Sequence, residues 1–146
     1  MRMCGGLGKI MIGGALFVLG AEAHAEPPSC GRDCQIAAAN TYLRALVTHD
    51  ARDVPLAPAA YRIENGLLTG ISGETIRHAL DTGPQYRLIT DLRDLQWSVH
   101  DGRVVADYLL DIQLPQIPIG RLTIHVREWF TVRNDGQIHV IEARIG

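Results

Sequence analysis

One glutamate breaks the pattern in the segment LTIHVREWFTV (122–132). Every second residue is Leu122, Ile124, Val126, Glu128, Phe130 and Val132, so a single carboxyl stands in an otherwise apolar row. The alternate row, Thr123, His125, Arg127, Trp129 and Thr131, is mostly polar. Successive side chains of a strand point to opposite faces, so this reads as a strand with one dry face and Glu128 on it. A carboxyl that loses its hydration is penalised in the charged form; it can stay protonated and donate a hydrogen bond to a developing oxyanion. A second carboxyl in a wetter place could then act as base. Glu64, in YRIENG (61–66), shares its strand face with Arg62, a cation for it to pair with. Tyr42 adds a phenolic hydroxyl. Two acids in unlike surroundings plus a tyrosine suit proton abstraction beside a carbonyl. Each residue also has a plain structural reading: an inward acid met by an arginine, a core tyrosine whose hydroxyl reaches the surface, and a glutamate that belongs to a turn.

Helices and strands must place these groups. RDCQIAAANTYLRALVTHD (32–50) carries Ile36, Ala39, Tyr42, Leu43, Leu46 and Val47, the spacing of a helix with one apolar stripe, and Tyr42 lies on it. Pro55 and Pro58 break the following segment, which leaves room for a helical turn at most. A short strand over 61–65 ends at Asn65-Gly66, and a second helix begins near 72–80, with Ser72 as N-cap, Glu74 in its first turn and Gly83-Pro84 as its stop. Period-two patterning then predicts strands near 86–91, 94–100, 103–113, 119–133 and 137–145. Asp101-Gly102 and Asn134-Asp135-Gly136 are hairpin turns, and 114–118 is a longer connection. Helices first and an antiparallel sheet last make an α+β domain with the helices on one curved face.

The chain has 146 residues, 47% of them hydrophobic, enough for one domain with a proper core. A formal charge of -2 argues against a nucleic-acid partner. Residues 1–25 read as a signal peptide, removed on export. Arg2 and Lys9 precede the apolar run IMIGGALFVLGA (10–21), and Ala23-His24-Ala25 is a small-x-small cleavage site. The run is too short to span a bilayer well, so the mature domain, 26–146, carries no integral membrane segment and is expected in the periplasm or outside the cell. Cys4 leaves with the leader, and Cys30 and Cys34 remain to pair in an oxidising compartment. Two thiols without nearby histidines make only half a zinc site, so a disulfide that pins the start of the helix is the better reading.

The order of elements resembles the nuclear transport factor 2-like superfamily. The similarity runs over most of residues 30–146: the opening helix with YLRALVTHD (42–50), a short strand ending in an acid, the helix start GETIR (73–77) and the closing antiparallel strands. That resemblance implies a cone, in which a bent sheet of five or six strands wraps around the N-terminal helices and leaves a pocket at the open end. SnoaL-like polyketide cyclases and ketosteroid isomerases belong to this superfamily, and the local pattern is most similar to the isomerases. By that resemblance Tyr42 is an oxyanion donor, Glu64 the general base at the end of the first strand, and Glu128, just before Trp129-Phe130, a second donor. Both acids are glutamate here where the isomerases have aspartate, and the stretch between Tyr42 and Glu64 is shorter.

Two functions follow. One is an exported domain that holds a small apolar molecule or a partner; the other is an isomerase- or cyclase-like enzyme that uses no cofactor. The enzyme requires Tyr42, Glu64 and Glu128 to converge on one cavity with Glu128 free of arginine. The binding domain allows Glu128 to be ion-paired and Glu64 to point into solvent. Asp107 and Asp111 lie on one strand face and could form an acid–arginine–acid set with Arg93 or Arg127. His125 and Arg127, on the wetter face of their strand, suit a sheet-to-sheet contact between two copies. His49, His78, His100, His125 and His139 lack metal-ligand spacing. The sequence has no Gly-rich phosphate loop and no serine nucleophile elbow.

Overall fold

The computed structural model describes residues 13–16, 20, 29–118 and 120–146. The leader read over 1–25, with its cleavage site, lies outside the described residues apart from 13–16 and 20. Among the described residues no helix is long and apolar enough to cross a membrane.

Helix α1 (Arg32–Thr48) forms where the apolar stripe predicts it, and it buries Ala38, Ala39, Tyr42, Leu43, Ala45 and Leu46. It stops at His49, whose left-handed backbone (φ 57°) lets its N–H donate to the Ala45 carbonyl oxygen. Cys30 and Cys34 are joined by a disulfide across the start of this helix, with their Cα atoms 5.1 Å apart. Strand β1 (Leu56–Glu64) and the short β2 (Leu67–Gly70) form a hairpin, and α2 (Gly73–Thr82) follows. Ser72 caps α2 by accepting from the Thr75 N–H, and the Thr75 hydroxyl accepts from the Ser72 N–H in return. A short 3₁₀ turn (Tyr86–Leu88) leads into β3 (Ile89–His100), then β4 (Arg103–Gln113), β5 (Arg121–Val132) and β6 (Ile138–Ile145).

The six strands form one curved, unclosed sheet in the order β2-β1-β6-β5-β4-β3, an α+β cone with the helices on the concave side. Helix α1 packs across β3, β4 and β5, and α2 covers β1. Inward residues of the strands, among them Val104, Ala106, Phe130, Val132 and Ile141, meet the α1 stripe to make the core. Burial of these apolar side chains is what holds helix to sheet. Phe130 stands edge-on to the Tyr42 ring, with centroids 5.5 Å apart.

Four details differ from the sequence reading. Strand β1 begins at Leu56 in spite of Pro58, because its register with β6 is interrupted between Leu56 and Tyr61 and the ladder needs no N–H there. Asn65-Gly66 is a two-residue hairpin turn, both residues at positive φ (48° and 80°), and so it opens a further strand, β2, rather than simply ending β1. The segments 86–91 and 94–100 are a 3₁₀ turn and one long strand, bent where Asp94 takes positive φ and the register with β4 shifts. The sheet is also mixed, since β1 runs parallel to β6 while every other neighbour is antiparallel.

Candidate active site

Between α1, the 3₁₀ turn and the inner face of the sheet lies a cavity of about 180 Å³. Its walls are apolar, with Leu46 from α1, Leu110 and Ile112 from β4, Val126 from β5 and Ile145 from β6. Its polar groups are Tyr42, Glu64, Tyr86, Tyr108, Glu128 and Gln85, drawn from α1, β1, the 3₁₀ turn, β4 and β5. The three residues singled out in the sequence therefore share one cavity. Tyr86 and Tyr108 were not singled out. For Tyr108 the signal was present: in Val104, Ala106, Tyr108, Leu110 the same period-two rule turns its side chain inward with Glu128.

Glu128 is buried, 2% exposed, and opposite Ala106 and Ala143 on the neighbouring strands, whose small side chains leave room around it. Its Oε2 accepts a hydrogen bond from the Tyr108 hydroxyl at 2.7 Å. Among the described residues it forms no ion pair with an arginine. Burial pushes its pKa up to about 7, and the charge of Glu64 adds to the rise, while Tyr108, Arg62 and Tyr42 hold it back. Both protonation states are thus close in energy near neutral pH, the condition for a group that must give or take a proton.

Glu64 has a different setting. Its side chain is 20% exposed, and its Oε1 accepts from the Tyr86 hydroxyl at 3.0 Å and lies 3.6 Å from Arg62 Nε. The other oxygen, Oε2, takes part in neither contact. Tyr42 is buried, and its hydroxyl oxygen accepts from Arg62 Nη1 at 3.3 Å. Burial raises the pKa of Tyr42 well above the ordinary phenol value, with Glu128 adding to the effect and Arg62 opposing it, so the phenol keeps its proton. Burial, then Glu128, does the same for Tyr108.

The alternative acids fall elsewhere. Tyr108, Leu110 and Ile112 face the cavity, so Asp107 and Asp111 face the opposite side of the sheet. There Asp111 accepts from Arg93 (2.9 Å) and the Thr123 hydroxyl (2.7 Å), and Asp107 meets His125 and Arg127. Both pairings lie outside the cavity, with Asp111 itself buried beneath its partners and Asp107 partly exposed. His125 and Arg127 do lie on that outer face, with Arg127 also stacked on Trp129. No cluster of metal-ligating side chains occurs among the described residues.

The cone, with a small cavity whose polar groups come from the first helix, the first strand, the 3₁₀ turn and two late strands, is the nuclear transport factor 2-like architecture. Similar solved structures include an NTF2-like protein from Cytophaga hutchinsonii (10% identity, 78% of this chain and 97% of that one, TM-score 0.59). A steroid delta-isomerase from Pseudomonas aeruginosa is also similar (14% identity, 77% and 80%, TM-score 0.56). So is SalBIII, an epoxide hydrolase/cyclase-like enzyme of pyran ring formation in the polyether salinomycin (13% identity, 78% and 92%, TM-score 0.62). At such identities the likeness carries the fold alone. Residues 29–145 match the family described as Domain of unknown function (DUF8021), and the chain belongs to that family. No curated protein matches it.

Proposed function

We propose that the cavity takes a small, mainly apolar molecule bearing a carbonyl and that the protein moves a proton on it without a cofactor. Glu64 is the base, through the oxygen that Arg62 and Tyr86 leave free. Tyr42 and protonated Glu128 are the donors that receive the developing oxyanion. The observation that carries this reading is Glu128: a buried carboxyl with no arginine partner among the described residues, in the same cavity as Tyr42 and Glu64. A cavity of about 180 Å³ exceeds one of roughly 150 Å³ that holds benzene. It therefore suits a single ring, with any remainder of the ligand at the mouth.

A second reading, in which the exported domain holds such a ligand without turnover, is favoured by one contact. Glu64 is engaged at Oε1 by both Arg62 and Tyr86, which restrains a base that must reach its substrate. Deuterium exchange beside the carbonyl of 2-cyclohexenone in D₂O separates the two. Exchange above the buffer rate that falls by about 10²–10⁴ in Glu64→Gln supports the enzyme. Ligand-induced NMR shifts of Tyr42 and Tyr108 without exchange support the binding domain, and a ring that causes neither removes the ligand class.

A further inference from the structure

Arg62 is the largest fully buried side chain among the described residues, 1% exposed, and lies directly behind the site. An arginine stripped of water is costly unless its donors and charge are met. Its Nε donates to the Thr69 hydroxyl at 3.1 Å and its Nη2 to the Thr69 carbonyl at 3.4 Å. Its Nη1 donates to the Tyr42 hydroxyl oxygen, Glu64 is its carboxylate partner at 3.6 Å, and its guanidinium lies 4.9 Å from the centroid of the Tyr86 ring. A buried arginine whose task is only to satisfy an acid meets it through a two-pronged fork. Here the single carboxylate contact is long, and the shorter hydrogen bonds go to a threonine and a phenol.

We infer that Arg62 is the positioning residue of the site, orienting the Tyr42 hydroxyl and fixing Glu64 while facing no substrate itself. Rotation of a phenol leaves its oxygen one proton to give. Because that oxygen accepts from Arg62, the proton must point away from the guanidinium, on the side where Glu128 and the cavity lie. A donated hydrogen bond also polarises the phenol, so Tyr42 becomes a stronger donor toward an oxyanion. Glu64, two residues along the same strand face, is held at one oxygen by Arg62 and by the Tyr86 hydroxyl beneath the same guanidinium. The short strand β2 acquires a purpose: Thr69 locks Arg62 from behind with both its hydroxyl and its carbonyl.

This inference rests on the proposed acid–base role of the cavity, and its test is read without ligand or turnover. The charged and titratable groups around Arg62 and Glu128 are Glu64 on β1, Tyr42 on α1, Tyr86 on the 3₁₀ turn and Tyr108 on β4. The experiment is a carbon-detected NMR titration of Glu128 in the wild type, Arg62→Met, Arg62→Lys and Thr69→Val. Loss of the cation in Arg62→Met should raise the Glu128 midpoint by about one pH unit, and Arg62→Lys should restore part of it. Thr69→Val, which keeps the charge but unlocks it, should shift the midpoint less, and it keeps the test alive if Arg62→Met fails to fold. A Glu128 midpoint unmoved in every folded variant, whatever the loss of melting temperature, overturns the inference and leaves Arg62 as core packing. A failed deuterium exchange with a shifted midpoint instead sinks the proposed reaction and spares the role of Arg62 in setting the site.

Discussion

Glu128 should make the protein progressively less stable as the pH rises toward neutrality. Its pKa is about 7 in the fold against an ordinary value of 4.5, so the folded state binds the proton more tightly than the unfolded chain. The favourable contribution is then fully present below about pH 4.5 and lost as the pH rises to about 7. At about 1.36 kcal/mol per pH unit, the loss is about 3 kcal/mol, a sizeable part of the stability of a domain this small. Glu128→Gln keeps the shape and an acceptor for the Tyr108 hydroxyl but cannot ionise, so it should lack this slope. Urea unfolding, followed by the fluorescence of Trp97 and Trp129 at steps from pH 4.5 to 8, gives the two profiles. Subtracting them removes the contributions of histidines and other groups common to both. The wild-type midpoint should fall by roughly 1–2 M urea relative to the variant across this range. Parallel profiles would show that the carboxyl is hydrated or ion-paired in solution, and the acid–base reading of the cavity would go with it.

Three further outcomes follow from contacts described above. Tyr108→Phe removes a hydrogen bond that favours the charged form of Glu128, so the Glu128 midpoint in an NMR titration should rise further above 7. Gly73→Ala should cost about 1–3 kcal/mol in a thermal melt, because an added Cβ would stand 2.4 Å from the Ala57 carbonyl oxygen and push α2 off β1. Asp111, held down to about 2 by hydrogen bonds from Arg93 and then Thr123, should give stability that is present above 3.8 and lost as the pH falls through about 2. Asp111→Asn should abolish that acid limb in the same urea assay.

Much of the site was legible because it depends on short-range periodicity. A strand fixes which side each residue takes, so Glu128 had to face inward; a helical stripe did the same for Tyr42, and Arg62 and Glu64 had to share a face. The disulfide followed from two cysteines four residues apart. What escaped was of two kinds. Prolines 55 and 58 read as breakers, since nothing local reveals that the partner strand leaves a gap opposite them. Tyr86 read as the start of a strand, and only tertiary packing turns it into a short helix that carries its hydroxyl to Glu64. The parallel match of β1 with β6 has no signature in either segment, because alternation is the same whichever way the partner runs.

That match has a consequence for how the chain folds. Strand β1 bears Arg62 and Glu64, and its only long-range neighbour in the sheet is β6, at the far end of the sequence. Asn65 ties the two ends together: its side chain exchanges hydrogen bonds with the backbone of Ile145, 80 residues away. The helix α1, the β1–β2 hairpin and the β3–β4–β5 meander can each begin to organise from contacts between residues close in sequence. The half of β1 that bears Arg62 and Glu64 cannot find its seat until the eight residues of β6 are present and have paired on both edges. Loop closure over so long a span is slow, and until it happens an apolar sheet edge stays open. A chain truncated before Ile138 should therefore retain secondary structure yet be captured by holdase chaperones, with no cavity formed.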